Sequence, residues 1–342
     1  MTRFRLGLAT STALLFLTPT LASAAPNVVV SIKPIHSLVA SIMKGVGEPS
    51  LIVEGAASPH TYTLKPSNAK ALENADVVFW VGHGLEAFLE KPLEALPKKA
   101  KIVELEEAPG LTKLPFREGG AFEAHDHGEH AEHAEDHDGH EHAEEAGHDH
   151  DHDHEAEEAE HEAHEHEHEH GGTDMHLWLD PDNAKAMAAD IAKTLVEADP
   201  ANKSTYEANL VALDAEIGAL DAEIAGQLKP VADKPFIVFH DAYQYFEKHY
   251  GVRVAGSVTV SPETMPGAER LTSIHDKIKE LGAACVFAEP QFEPKLINVV
   301  TECTEAKSGV LDPEGGALEA GPDLYAKLMR NLATSMNSCL SQ

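Results

Sequence analysis

The chain has 342 residues, of which 42% are hydrophobic, and a formal charge of −32 at pH 7. That length allows about two ordinary domains with a sizeable core, and the acidic balance argues against nucleic acid as a partner. The acidity is uneven: residues 118–170 carry twenty-two Asp and Glu and no Lys or Arg, which leaves the rest of the chain only about −10.

Arg3 and Arg5 form a positive start, Leu6 to Leu17 is an apolar run too short to span a membrane, and Ala22-Ser23-Ala24 fits a cleavage site. Residues 1–24 therefore read as a secretion signal. No Cys stands at the cleavage point to take a lipid, and no later run is long and apolar enough to span a bilayer. The mature chain is expected to be exported and soluble.

Four short apolar runs follow and are read as strands, the first of them as a buried one. They are Val28 to Ile32, Leu51 to Val53, Val77 to Val81 and Ile102 to Leu105. Helices are predicted between them over Ile35 to Lys44, from an N-cap at Ser67 through Asn74, and over Glu86 to Leu96, with a loop at Ala57 to Tyr62. Strands alternating with helices predict a mostly parallel α/β lobe.

The composition then changes. Residues 125–170 contain sixteen His and twenty Asp or Glu, with runs such as His148-Asp149-His150-Asp151-His152-Asp153-His154 and His164-Glu165-His166-Glu167-His168-Glu169-His170. Almost no side chain larger than Ala is apolar there, so the stretch cannot offset the entropy of ordering and reads as a solvated, disordered insert over 118–172. Alternating imidazoles and carboxylates are metal ligands, which makes His148, His150, His152, His154, His164, His166, His168 and His170 accessory weak metal sites. The bland alternative is a charged linker without a ligand.

Ordered sequence restarts at Asp174-Met175-His176-Leu177-Trp178-Leu179. Asp180 caps, and Pro181 begins, a helix to about Ala198. Asp199-Pro200 starts another, with Tyr206, Leu210, Leu213, Ile217, Leu220 and Ile224 spaced as one long amphipathic helix to about Leu228. A second α/β pattern follows, with strands at Phe236 to His240, within Val252 to Val260, at Cys285 to Ala288 and at Lys307 to Leu311. Helices are predicted over Tyr243 to Tyr250, most of Glu263 to Leu281 and Pro322 to Cys339. The fold class is α/β: two lobes, each a mostly parallel sheet flanked by helices, bridged by one long helix. The expected division is 25–199 for the first lobe with its insert, 200–229 for the connecting helix and 230–342 for the second lobe.

Ligands of open parallel sheets bind beyond the carboxyl ends of the strands. His60 follows the second strand, His176 leaves the insert, His240 ends the first strand of the second lobe, and Asp312 ends the last. Singly each signal is weak; together they place four ligands at equivalent positions in two lobes. Three imidazoles and a carboxylate suit Zn²⁺, whereas manganese usually takes more oxygen donors. Glu289 and His83 are the supporting or alternative candidates. Glu289 is ranked below Asp312 because it can instead orient a ligating His. His36, His249 and His275 fall in or beside helices, and Trp178, Tyr243, Tyr245 and Phe246 read as core. Of the cysteines Cys285, Cys303 and Cys339, one pair is expected to bond in an oxidising compartment, with one thiol left over.

The stretches Ser58-Pro59-His60-Thr61-Tyr62-Thr63-Leu64-Lys65-Pro66-Ser67, Asn74 to Gly82, Met175-His176-Leu177-Trp178-Leu179, Phe239-His240-Asp241-Ala242-Tyr243 and Ala288-Glu289-Pro290-Gln291-Phe292 resemble the zinc-binding proteins of bacterial ABC importers, the ZnuA family. The resemblance covers nearly the whole mature chain, including a charged His-rich insert before Met-His-Leu-Trp. It implies zinc as the ligand, His60, His176 and His240 as metal ligands, and Asp312 at a fourth position that varies in the family. It also implies a periplasmic, monomeric protein that docks on an inner-membrane permease, and a disulfide between Cys285 and Cys339. His240 is informative, because the manganese-binding relatives carry Glu there. Pro59 departs from members with Glu before the first ligand. The rival readings are a manganese or nickel binder, a periplasmic zinc buffer or store, and a zinc-dependent hydrolase. The last is weakened by the lack of an HExxH-like motif.

Overall fold

The computed structural model describes residues 25–117, 122, 172–259, 266–292 and 295–342. The signal expected over 1–24 and the eight histidines expected to form accessory metal sites lie outside the described residues.

The first sheet is built from β1 (Val28–Val30), β2 (Ser50–Leu51), β3 (Val77–Trp80) and β4 (Lys101–Glu104), in the order β2-β1-β3-β4 and parallel throughout. All of β1 and β3 is buried, as expected of central parallel strands covered on both faces. Around it lie α1 (Lys33–Ile42), α2 (Pro66–Glu73), α3 (Glu90–Ala95) and α4 (Pro181–Ala198). Asp180 caps α4, accepting from the Asp182 amide at 2.8 Å, with Pro181 in the first turn.

The second sheet repeats the plan. It comprises β5 (Pro235–His240), β6 (Arg253–Thr259), β7 (Cys285–Ala288) and β8 (Lys307–Val310), in the parallel order β6-β5-β7-β8. Its helices are α6 (Gln244–Tyr250), α7 (Ala268–Leu281), α8 (Lys295–Thr301) and α9 (Leu324–Leu340).

Between the sheets runs α5 (Lys203–Leu228), 26 residues and so about 39 Å long. Tyr206, Leu213, Ile217, Leu220, Ile224 and Leu228 are its buried stripe, and Leu210 is half-buried. The helix packs on α1 and α4 from the first half and on α9 and α6 from the second, and α9 also reaches α1. One hydrophobic cluster consequently runs through both halves, from Val30 through Ile217 to Phe236 and Leu332. A smaller one, with Ile237, Phe239, Val286 and Val300, covers the other face of the second sheet, because alternate strand residues point to opposite faces. Each buried Leu or Ile of the stripe contributes roughly 1.5–3 kcal/mol, so swinging the connector out of this packing is costly. Among the described residues no helix is long and apolar enough to cross a membrane.

Three local features differ from the sequence reading. The helix expected from a Ser67 cap starts at Pro66, and Asn68 Oδ1 accepts from the Lys65 amide at 3.0 Å. The helix expected over Glu86 to Leu96 is split into a 3-10 turn, Ala87–Leu89, and α3. Pro92 is the reason: it lacks an N–H and is tolerated only in a first turn. Helix α8, of 7 residues, falls in a stretch to which the sequence reading assigns no element.

Candidate metal centre

The three histidines arrive from separate elements. His60 is the middle residue of a 3-10 turn, Pro59–Thr61, beyond β2; His176 precedes a second such turn, Leu177–Leu179; His240 is the last residue of β5. Their ring centroids lie 5.5 Å (His60–His176), 5.7 Å (His60–His240) and 5.2 Å (His176–His240) apart. One nitrogen from each falls within 4.8 Å of the other two. His176 and His240 are buried and His60 is half-buried.

The chain on either side fixes their aim. Trp178 Nε1 donates to the Pro313 carbonyl at 2.8 Å, and Tyr325 Oη donates to the Trp178 carbonyl at 2.9 Å, so the segment bearing His176 is clamped by the second half. His176 Nδ1 lies 2.7 Å from Asp174, and His240 Nδ1 lies 2.8 Å from Glu289. Asp174 also accepts from the His176 amide, and Glu289 from the His240 amide and Tyr243 Oη. A carboxylate facing Nδ1 selects the tautomer with the proton there, which leaves the lone pair on Nε2. The two Nε2 atoms then face each other at 3.3 Å. Two nitrogens bound tetrahedrally at 2.0–2.1 Å from one ion stand roughly 3.3 Å apart.

The other sequence candidates are placed differently. Asp312 lies just past β8 and is half-buried, and it is not grouped with the three imidazoles. Its carboxylate accepts from Gln291 Nε2 at 2.9 Å and from the Ala317 amide at 3.2 Å. Glu289 stands behind His240, on the side away from His176. His83 is half-exposed, edge-on to Trp80, with Nε2 3.8 Å from Glu104. Cys285 and Cys339 form a disulfide that ties β7 to α9, and Cys303 is exposed. Sequence reasoning missed Asp174. Its one signal is its position two residues before His176, which by itself does not show that the carboxylate turns back onto the ring.

Behind His240, Glu289 belongs to a set of buried carboxyls in which Glu314 feels the charge of both Glu86 and Glu289. Burial pushes Glu289 up to about 8 and Glu86 up to about 7, and raises Glu314 strongly; a cation beside the imidazoles would pull Glu289 back toward the carboxylate that accepts from Nδ1. Charge repulsion from Asp312 adds to the effect on Glu289 and Glu314. Lys33 answers from α1: its Nζ donates to the carbonyls of Gly315, Gly316 and Leu318 at 3.2, 2.8 and 2.7 Å, pinning the loop beyond Asp312. A second group, Asp180, Asp182 and His249, also brings potential ligand atoms together. There, however, His249 Nδ1 lies 3.2 Å from Asp180 and Nε2 lies 2.9 Å from Asp221. Hydrogen bonding to Asp180, and then to Asp221, raises His249 to about 9. The protonated ring donates from both nitrogens and keeps no lone pair for a metal.

Two parallel-sheet lobes on a single long helix, with three histidines from the two halves converging between them, define a two-lobed solute-binding protein. The family model described as "Zinc-uptake complex component A periplasmic" matches residues 28–339. The chain belongs to this ZnuA family of solute-binding transport proteins. It is 59% identical over 322 residues to the "High-affinity zinc uptake system protein ZnuA" of Brucella suis biovar 1 (strain 1330), covering 94% of each chain. To the protein of the same name from Yersinia pestis it is 39% identical over 331 residues, covering 96% of each. Among solved structures it resembles one described as "Crystal structure of ZnuA", with TM-score 0.68, 27% identity, and 92% and 99% of the two chains covered. A zinc-bound ZnuA lacking its residues 138-173 gives TM-score 0.68 at 26% identity, covering 93% and 99%.

Proposed function

We propose that this protein captures Zn²⁺ in the periplasm, with His60, His176 and His240 as ligands, and delivers it to an inner-membrane ABC importer. The observation that carries the reading is the pair of facing Nε2 atoms at 3.3 Å, each ring held by a carboxylate on its Nδ1. Two lone pairs so placed repel unless a cation sits between them, and their spacing suits a tetrahedral ion at zinc–nitrogen distance. The names of the relatives point the same way. We assign the fourth position to Asp312, which on binding would give up its bonds to Gln291 and the Ala317 amide. Residues 1–24 act as the export signal, residues 25–199 and 230–342 are the two metal-binding halves on the 200–229 connector, and the mature protein works as a monomer.

How the carboxylates are used supports transport rather than catalysis. A hydrolytic zinc needs an open position and a base beside its water. Asp174 and Glu289, the buried carboxylates against the rings, are both engaged by Nδ1. Three imidazoles also favour zinc over manganese. The His-rich insert is proposed as an accessory collector: its C-terminal end, His170, is six residues from His176, but alternating ligands without fixed geometry cannot choose a metal.

Titration of the protein with Zn²⁺, Mn²⁺ and Ni²⁺ against a competing chelator tests this. One tight, zinc-preferring site that loses orders of magnitude of affinity in His240→Ala is expected. An unchanged dissociation constant in that variant would remove His240 from the site.

A further inference from the structure

The insert leaves and re-enters the fold through a two-stranded neck. Pro115 pairs antiparallel with Thr173, the Phe116 amide donates to the Gly172 carbonyl at 2.6 Å, and the Asp174 amide donates to the Leu114 carbonyl at 2.8 Å. This neck belongs to the first half of the chain but is fastened to the second. Tyr245 Oη accepts from the Leu114 amide at 3.0 Å and donates to the Asp174 carbonyl at 2.6 Å, and Gln244 Nε2 donates to the Pro115 carbonyl at 3.0 Å.

Arg117 completes the fastening. Its guanidinium forks onto both oxygens of Asp241, with Nε to Oδ2 at 3.0 Å and Nη2 to Oδ1, while Nη1 donates to Glu247. The other Glu247 oxygen accepts from the Val254 amide at 3.2 Å, so this carboxylate is anchored to β6. The Phe122 ring lies 4.0 Å beneath the guanidinium. Asp241 is buried, and it is joined by one peptide bond to His240. One neck strand thus leads through Asp174 to His176, and the other leads through Arg117 and Asp241 to His240.

We propose that Arg117 is a positioning residue for metal retention: its fork onto Asp241 holds His240 against His176 and sets how long a bound ion stays. The inference rests on the reading of His240 as a zinc ligand. For the ion to leave, two imidazoles must separate. With the neck fastened, that separation requires breaking a part-buried, charge-assisted, bidentate pair, the strong form of such a bond. Lysine cannot replace it, because an ammonium is a point charge without the planar fork. The on-rate, set by ion arrival and dehydration, is not limited by this contact.

The test is stopped-flow release of Zn²⁺ from the full-length mature protein into excess chelator. Partners that orient ligating histidines are typically worth 10–100-fold, so Arg117→Ala is expected to speed release about 10–100-fold with association changed by less than about 3-fold. Arg117→Lys should recover only part of the loss. Glu247→Gln, which weakens the pair away from His240, should speed release by a smaller factor and guards against a variant that does not fold. Release within about twofold of wild type in Arg117→Ala and Glu247→Gln, whatever their melting temperatures, overturns the proposal and leaves Arg117 a structural contact. Failure of the cleft reading itself would appear separately, as tight zinc binding that survives His240→Ala.

Discussion

Asp174 offers a quantitative test of how the site is prepared. It is fully buried and serves one residue twice, accepting from His176 Nδ1 at 2.7 Å and from the His176 amide at 3.0 Å. Asp174→Asn keeps an oxygen acceptor but removes the charge that makes the ring a better donor of its Nε2 lone pair. Asp174→Ala removes the acceptor altogether and orphans a buried amide. Partners of ligating histidines are worth 10–100-fold in metal affinity, so the expected losses are about 10-fold for Asn and about 100-fold for Ala, or roughly 1.4 and 2.7 kcal/mol. Ala should also destabilise the metal-free fold by about 1–3 kcal/mol through the unpaired amide; Asn should do so much less. Competition against a chromophoric zinc chelator at pH 7, paired with urea denaturation of the metal-free variants, separates the two effects. If Asp174→Ala lowered stability yet bound zinc like the wild type, Asp174 would be a structural acceptor and the tautomer argument would fail.

Three further outcomes follow from the same structure. His249 is raised from its ordinary 6.5 to about 9, so its ion pairs with Asp180 and Asp221 stabilise the fold fully below about pH 6.5 and cease to do so as pH rises through about 9. The site is partly exposed, which screens the effect to about 1 kcal/mol; urea denaturation from pH 6 to 10 should show that decline in the wild type and not in His249→Gln. Breaking the Cys285–Cys339 disulfide, which closes a sequence separation of 54 residues, should cost about 4 kcal/mol by the loop-entropy relation; equilibrium unfolding of Cys285→Ser checks it, and a loss below about 1 kcal/mol would contradict it. Deleting residues 125–170 should leave one tight zinc site and remove several weak ones in a calorimetric titration, and loss of the tight site would move it out of the cleft.

The fold was largely legible because the central strands of its sheets are buried on both faces. Runs such as Val28-Val29-Val30 and Cys285-Val286-Phe287-Ala288 are continuous and apolar, and the long connector carries its burial stripe openly at Tyr206, Leu213, Ile217 and Leu220. The meeting of His60, beyond β2, with His240, at the end of β5, was legible too, since parallel topology sends strand ends to one side, whereas His176 follows no strand of either sheet. What escaped was set by contacts between distant segments. Asp174 turning onto His176 is short in sequence but is held there by Tyr245 from α6, and Arg117 reaches Asp241 across 124 positions. Asp312 was legible as a strand-end carboxylate, whereas its hydrogen bonds to Gln291 and the Ala317 amide depend on how the loop beyond β8 folds under Lys33. Nothing in local pattern or propensity encodes such pairings.

The most direct test of the central claim is an anomalous difference map recorded at the zinc edge from crystals of the zinc-loaded mature protein. One strong peak about 2.0–2.1 Å from a ring nitrogen of each of His60, His176 and His240 is the result predicted. A strongest peak at any other position, or a peak missing one of these three rings, would contradict the account.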